Sequence, residues 1–544
     1  MLNLAAIHEA ISERHPEREC LVFRDRRYRW RDVTDRSRRL ADVLRRHGLG
    51  CHTEREALAP HASGQDHVAL YLYNGNEYLE GMLGAFGARA VPVNVNYRYV
   101  DEELVYLFRD SRARAVVFHA CFAPTLARIR ERLPEVSLWL QVADESGEPL
   151  LSGARDYEDA LAAADPVPPQ GLTPDDLYIL YTGGTTGMPK GVLWRQEDLF
   201  LAALSSRPVA SLAEVVARAE RTDLRWLPAP PFMHGAAHWA AFTGWSVGGT
   251  VVVQSQPRRL DPDDLWSTVE RERVTALTIV GDAFGRPLLD QLARRRYDLD
   301  SLRLVSSGGA ILSAALKQEF LARLPGIRLL DALGSSESGS QGSQTFRSGA
   351  RATTGDFEIT PGNTVLREDL SGAVTPGSGE IGWLARSGRV PLGYLGDPDK
   401  TSRTFPVIGG VRHAVPGDRA RIEADGRLRL LGRDSVTINT GGEKVFAEEV
   451  EHALKHHPAV YDAVVVGTPH ERFGQQVTAL VKLRDGEAPA VEPLLAVARG
   501  HLASYKLPRR FVFVDEIVRS PSGKADYRWA RARALEEEAL LVRS

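Results

Sequence analysis

Short apolar runs rich in β-branched residues, alternating with helical stretches, constrain the fold of this chain more than any other feature. Val68-Ala69-Leu70-Tyr71-Leu72-Tyr73 reads as a buried strand, Asn76 to Ala88 as a helix, and Ala90-Val91-Pro92-Val93 as the next strand, which is a βαβ signature. The pattern returns at Ala115-Val116-Val117-Phe118, Leu177–Tyr181, Ala276–Val280 and Leu302–Val305. It predicts an α/β fold whose mostly parallel sheets are covered by helices and bind ligands at the carboxyl ends of their strands. From about 355 to 432 the texture changes to short strands and turns such as Pro376-Gly377-Ser378-Gly379, a β-rich subdomain. A compact α+β stretch follows. Since 544 residues exceed what one core holds, the expected division is a large amino-terminal domain, 1–432, and a small carboxy-terminal one, 433–544.

Composition removes several classes of function. With 43% hydrophobic and 26% charged residues the chain is neither a disordered tail nor a membrane protein, and a net charge of -3 gives no field to gather nucleic acid or an anionic membrane. The amino terminus meets His8, Glu9, Glu13 and Arg14 before any apolar run of signal-peptide length, and no stretch approaches the roughly 20 apolar residues of a membrane span. A cytoplasmic protein is expected. Cys20, Cys51 and Cys121 are too widely spaced for a zinc site or disulfide framework and read as free thiols.

Directly after an apolar strand comes Tyr181-Thr182-Gly183-Gly184-Thr185-Thr186-Gly187-Met188-Pro189-Lys190. Glycines expose backbone amides, threonines add hydroxyl donors and Lys190 adds charge, so the segment can wrap a polyphosphate. It is not a P-loop, because the Gly-Lys-Ser/Thr ending is missing. Lysine is scarce, at eight positions against a large excess of arginine. Three of them, Lys190, Lys444 and Lys524, fall inside glycine-rich motifs.

The loop resembles the signature loop of the adenylate-forming superfamily, which includes acyl-CoA synthetases, luciferases and peptide-synthetase adenylation domains. Further segments resemble the family's other marks, in order, over nearly the whole chain. Pro231-Phe232-Met233-His234-Gly235 matches the segment whose histidine lies beside the acyl pocket; His234 and His238 stand four apart, but Gly235 occupies the glutamate position of a zinc motif. Ser307-Gly308-Gly309-Ala310 matches the turn that lines the adenine and acyl sites. Leu333-Gly334-Ser335-Ser336-Glu337 matches a segment whose hydroxyl residue faces phosphate and whose glutamate holds Mg²⁺, although Leu333 replaces the usual aromatic residue. In Pro416-Gly417-Asp418, with proline for the usual threonine, the resemblance makes Asp418 the ribose ligand.

Gly432-Arg433-Asp434 through Gly441-Gly442-Glu443-Lys444 is the second long match. By resemblance Arg433 contacts ribose, Asp434 is a hinge, and Gly441, Gly442, Glu443 and Lys444 line a pantetheine tunnel. Glu448, Glu449 and Glu451 just beyond read as a solvated helix face, as do the arginines at 294–296 and Arg528 and Arg531. Ser520-Pro521-Ser522-Gly523-Lys524 matches the catalytic-lysine loop.

The implied enzyme is an acid-thiol ligase with a mobile small domain. ATP, Mg²⁺ and coenzyme A are its expected cofactors, Lys524 and His234 its catalytic residues. Leu-Gly-Ser-Ser-Glu at 333–337 and Lys524-Ala525-Asp526-Tyr527-Arg528-Trp529-Ala530-Arg531 most resemble bacterial synthetases for long-chain and sterol side-chain acids, which implies a bulky alicyclic, steroid-like or long-chain carboxylic acid. Two alternatives stay open. One is an enzyme of a single half-reaction; the other is an adenylation protein loading a carrier in trans, since the chain ends soon after Lys524. Self-association as a homodimer is compatible with either.

Overall fold

The structure, a computed structural model, describes residues 2–182, 188–205, 207–220, 223–440, 443–471, 473–488, 490–521, 523–536 and 540–541. His67–Tyr71 lies in a five-stranded sheet between Val91–Asn94 and Ala113–His119, continued by Leu138–Val142 and Arg155–Asp156, all parallel. The helix Asn76–Gly87 makes the crossover, buried along its whole length. That is the βαβ unit read from the sequence.

A second sheet begins in parallel, through Glu19–Phe23, Thr250–Val253, Arg225–Pro228, Ala276–Ile279, Leu304–Gly308 and Arg328–Ser335. It then turns antiparallel at Gly339–Phe346 and continues through Asp356–Ile359 into Leu428–Arg433 and Asp418–Ile422. The β-rich stretch therefore extends the parallel sheet by hydrogen bonding, around a small core of its own containing Phe357, Val365, Leu384, Ala420 and Leu428.

One strand departs from expectation. Leu177–Thr182 joins no parallel sheet; it pairs antiparallel with Lys190–Arg195, which pairs with Gly393–Tyr394. A parallel return needs a crossover of a dozen or more residues. The link from Thr182 to Lys190 is too short for that and carries no helical pattern, so the chain doubles back.

The carboxy-terminal stretch forms a six-stranded sheet of its own, in which Val460–His470 lies antiparallel to Gly474–Leu483, itself parallel to Arg510–Phe513. Val450, Val465, Ala479, Leu495 and Phe511 form its core. The helix Ala447–Leu454 is not the solvated face expected of its glutamates. Glu451 is buried and accepts hydrogen bonds from the Val465 amide at 2.9 Å and the Tyr527 hydroxyl at 3.2 Å. Glu449 pairs with Lys506 at 2.7 Å. Glu448 packs on Gly432, where a Cβ would come 2.3 Å from its Oε2. The helix is wedged between its own sheet and the strand Leu428–Arg433, so charge density alone misjudged its exposure. The arginines at 294–296 are exposed as expected.

Candidate active site

The phosphate side is organised by strand ends. Thr182 and Lys190 pair across the antiparallel ladder at the base of the glycine loop; Gly183, Gly184, Thr185, Thr186 and Gly187 lie outside the described residues. Lys190 Nζ bonds Asp110 at 2.9 Å, and the same carboxylate receives the Tyr181 hydroxyl at 2.8 Å and the Tyr106 hydroxyl at 3.2 Å. Burial opposes the Lys190 charge, but Asp110 and Tyr106 outweigh it and raise its pKa. Lys190 thus clamps the loop's base.

Across from it, Gly334 and Gly339 pinch a hairpin: a Cβ at Gly334 would stand 2.4 Å from the Gly339 carbonyl oxygen. The turn between them carries Ser335, Ser336 and Glu337. Ser335 Oγ lies 2.8 Å from Ser338 Oγ, and the Ser336 carbonyl accepts the Trp194 indole N–H at 2.8 Å. Glu337 Oε1 accepts the Tyr394 hydroxyl at 3.0 Å, and Lys400 Nζ sits 4.1 Å above that tyrosine ring. Leu333 packs half-buried against the core of the β-rich stretch. Gly308 ends its strand and Gly309 turns at φ +86, with Ala310 next, beside Leu333 and Gly334 in register terms through the pair Gly308↔Ala332.

The ribose-side candidates are cross-strand partners. Asp418 pairs with Arg433 in the ladder, with Arg433 Nε 3.2 Å from Asp418 Oδ1. Asp418, foremost, raises the Arg433 pKa. Next in line, buried Arg419 bonds Asp434 at 2.9 Å and Glu368 at 3.1 Å and lies 3.4 Å over the Trp383 ring. The Asp434 amide also donates to the Gly417 carbonyl at 3.0 Å, a contact that needs Gly417 at φ +102.

Lys524 reaches this site from the small lobe. Its loop is a tight turn in which the Lys524 amide donates to Ser520 Oγ at 3.2 Å and the Gly523 amide to the Ser520 carbonyl at 2.8 Å. Gly523, at φ +75, sits against the large lobe: a Cβ would meet the Val280 carbonyl at 3.1 Å and Ala283 Cβ at 3.2 Å. Lys524 keeps an exposed flank, yet the crowded cleft around its ammonium lowers its pKa, aided by Arg433 and opposed by Glu337 and Asp418. His234 feels the same ammonium: burial first, then Lys524, drive its imidazole down to about 3. Its Nε2 is buried with no hydrogen-bond partner among the described residues. His238 differs, since Tyr178 holds its Nε2 and the Phe232 carbonyl its Nδ1 at 2.6 Å, a packed core residue.

Lys524 thus lies within electrostatic reach of His234, Glu337, Asp418 and Arg433, of which Asp418 and Arg433 are in direct contact with each other. Glu443 and Lys444 do not join them. Both are exposed, and Lys444 bonds Glu368 at 3.0 Å on the side of Asp434; Gly441 and Gly442 lie outside the described residues. Tyr394, Asp110 and Arg419 carry no signal in the sequence that marks them as members of the site. Only the glycine before Tyr394 and the aspartate ending an acidic helix hinted at position, and neither hint is distinctive.

Comparison with known proteins identifies the family. Residues 8–365 match the AMP-binding enzyme family and residues 449–524 the AMP-binding enzyme C-terminal domain. The chain belongs to the AMP-binding enzyme family, the adenylate-forming enzymes. It is 52% identical over 538 residues to the medium-chain acyl-CoA ligase Mig of Mycobacterium avium, covering 97% of this chain and 98% of that one. It is 40% identical to the 3-oxocholest-4-en-26-oate–CoA ligase of Rhodococcus rhodochrous, covering 97% and 95%. Its fold superposes on ATP-bound MatB of Rhodopseudomonas palustris with a TM-score of 0.80 over 98% of this chain and 99% of the other, at 24% identity.

Proposed function

We propose that this chain is an acyl-CoA ligase that joins a hydrophobic carboxylic acid to coenzyme A through an acyl adenylate. The observation that carries the reading is the Asp418–Arg433 cross-strand pair together with the Lys524 turn seated on Val280 and Ala283, within electrostatic reach of that pair, of Glu337 and of His234. Asp418, with its partner Arg433, would hold the ribose hydroxyls, a charge-assisted arrangement. The glycine loop and Lys190 would cradle the phosphates. Glu337 keeps one carboxylate oxygen without a protein partner among the described residues, a hard donor suited to Mg²⁺; bound there, the ion would neutralise phosphate charge.

In the first half-reaction a carboxylate oxygen of the acid bonds to the α-phosphorus of ATP, and pyrophosphate leaves with the electron pair of the broken P–O bond. Lys524 would sit between the two anions, orienting them and stabilising the charge of the transition state. His234, held neutral, would offer its buried Nε2 to the acid rather than repel Lys524. The small lobe then rotates about Asp434, bringing the loop of Gly441, Gly442, Glu443 and Lys444 to the pantetheine arm. The thiol sulfur, losing its proton to solvent, bonds to the acyl carbon, and AMP leaves with the electron pair of the broken C–O bond.

The acid is proposed as apolar, ranging from medium-chain to steroid-like, on the names carried by the two relatives. Among the described residues no helix is long and apolar enough to cross a membrane, in keeping with a proposed cytoplasmic enzyme acting on a free acid. The test is mass spectrometry of reactions containing ATP, Mg²⁺, coenzyme A and a panel of acids. Acyl adenylate followed by acyl-CoA is expected from medium-chain or steroid acids. Adenylate without thioester, or transfer only to a carrier protein, would overturn the reading.

A further inference from the structure

The small lobe docks on the large one through charge. Asp282, near the start of the large-lobe helix Gly281–Arg294, lies 3.5 Å from Lys455 of the small lobe. Lys455 bonds Asp462 at 3.0 Å, and Asp462 bonds Arg519 at 2.8 Å. Arg519 in turn donates to the Gly523 carbonyl at 3.0 Å, immediately before Lys524. All four side chains are largely shielded, between 13% and 16% exposed. A single chain of ionic contacts thus runs from the large lobe to the lysine loop.

We propose that Asp282 is a positioning residue for adenylation: it draws Lys455 onto the large lobe and, through Asp462 and Arg519, sets the Lys524 loop over the phosphate site. The inference rests on the ligase reading above and on the rotation of the small lobe. The small-lobe charges leave one positive charge over, because the single Asp462 carboxylate answers both Lys455 and Arg519, and Asp282 supplies the missing negative charge. Burial opposes the Lys455 charge, yet Asp462 and then Asp282 raise its pKa, while the two cations hold Asp462 well below the usual carboxylate range. Buried Glu451 stands next to the cluster, one helical turn before Lys455. Asp282 is the member that belongs to the other lobe, so it is the one whose contact must break for the lobe to turn.

The surroundings suit a contact made and broken on each turnover. A cavity of about 280 Å³ lies along the same seam, lined by Asp282, Ala283, Arg286, Tyr461, Lys482 and Pro521 among others. An incompletely filled seam of mixed polar and apolar lining costs less to open than a dry, close-packed apolar one. Asp282 itself is fixed from behind: its Oδ1 accepts the Ser313 amide at 2.7 Å, and the Gly281 amide beside it donates to Ser307 Oγ at 3.0 Å. Asparagine could keep the Ser313 bond and lose only the charge.

The experiment measures both half-reactions of full-length Asp282→Asn and Lys455→Met. In Asp282→Asn, ATP–pyrophosphate exchange should fall about tenfold, as expected for loss of one partner in a shielded pair. Thioester formation from supplied acyl adenylate should stay at the wild-type rate or rise. Added salt should slow exchange in the wild type more than in Asp282→Asn. Lys455→Met should show the same split. Equal loss of both half-reactions would mark a merely structural role and overturn the inference, as would no loss in either. Absence of exchange in the wild type would instead overturn the ligase reading.

Discussion

The two ends of the cleft are built on different principles. At the proposed ribose end, Asp418 and Arg433 are cross-strand neighbours, and Arg419, the next residue of one strand, pairs with Asp434 just past the end of the other. Their positions follow from strand register, which cannot slip without moving every side chain. At the proposed catalytic end, Lys524 rides on a turn that meets the large lobe at the Gly523 surface and is tied to it by an ionic chain. On the proposed function, binding would be held by the sheet, whereas the reactive cation would be delivered across a seam able to part. A protein that must hold a nucleotide through two reactions but present lysine for one has reason to separate the two jobs.

The largest effect on nucleotide binding should come from breaking the rigid end. Asp418→Ala removes a buried carboxylate and leaves Arg433 unpaired, so the KM for ATP should rise about 10- to 100-fold, from the roughly 1.5–3 kcal/mol of a charge-assisted bond. Acyl adenylate should also bind more weakly, and steady-state kinetics of the separate half-reactions read both. Were only adenylation affected, the ribose assignment would be wrong. Glu337→Gln should lower exchange about tenfold with partial recovery at higher Mg²⁺, and leave thioester formation alone.

A smaller effect concerns the seam. Burial, then Glu451, raises the Glu448 carboxyl from 4.5 to about 8, so the folded protein holds this proton more tightly than the unfolded chain does. That stability is complete below the unfolded value and is lost as pH climbs through 4.5 toward 8. Thermal unfolding of the small lobe should therefore occur a few degrees lower at about pH 8.5 than at about pH 6, and Glu448→Gln should flatten the difference. An unchanged pH profile in that variant would place the titration elsewhere. The smallest effect is expected at Lys444→Ala, whose bond to Glu368 joins two half-exposed side chains and should contribute less than about 0.5 kcal/mol to stability in a denaturant titration.

Much of this was legible in the sequence, for identifiable reasons. Buried strands such as His67–Tyr71 and Ala113–His119 announce themselves as apolar runs because both faces are covered. The turns at Gly334 and Gly523 were legible because glycines that pinch a turn leave a pattern in the sequence. What stayed hidden were tertiary pairings. Leu177–Thr182 looked like its parallel neighbours, since strand direction depends on the connection and not on the strand. Glu448 and Glu451 looked solvated because nothing local shows that a second layer covers their helix. The pair of Asp282 and Lys455, far apart in sequence, carries no local signal at all.

The central claim is that Lys524 of the small lobe acts on the same phosphorus that the large lobe holds, and Lys524→Ala tests it most directly. Single-turnover formation of acyl adenylate should fall about 100- to 1,000-fold, the usual cost of removing one transition-state charge donor, with thioester formation from supplied adenylate unchanged. Adenylation at the wild-type rate in that variant would contradict the claim.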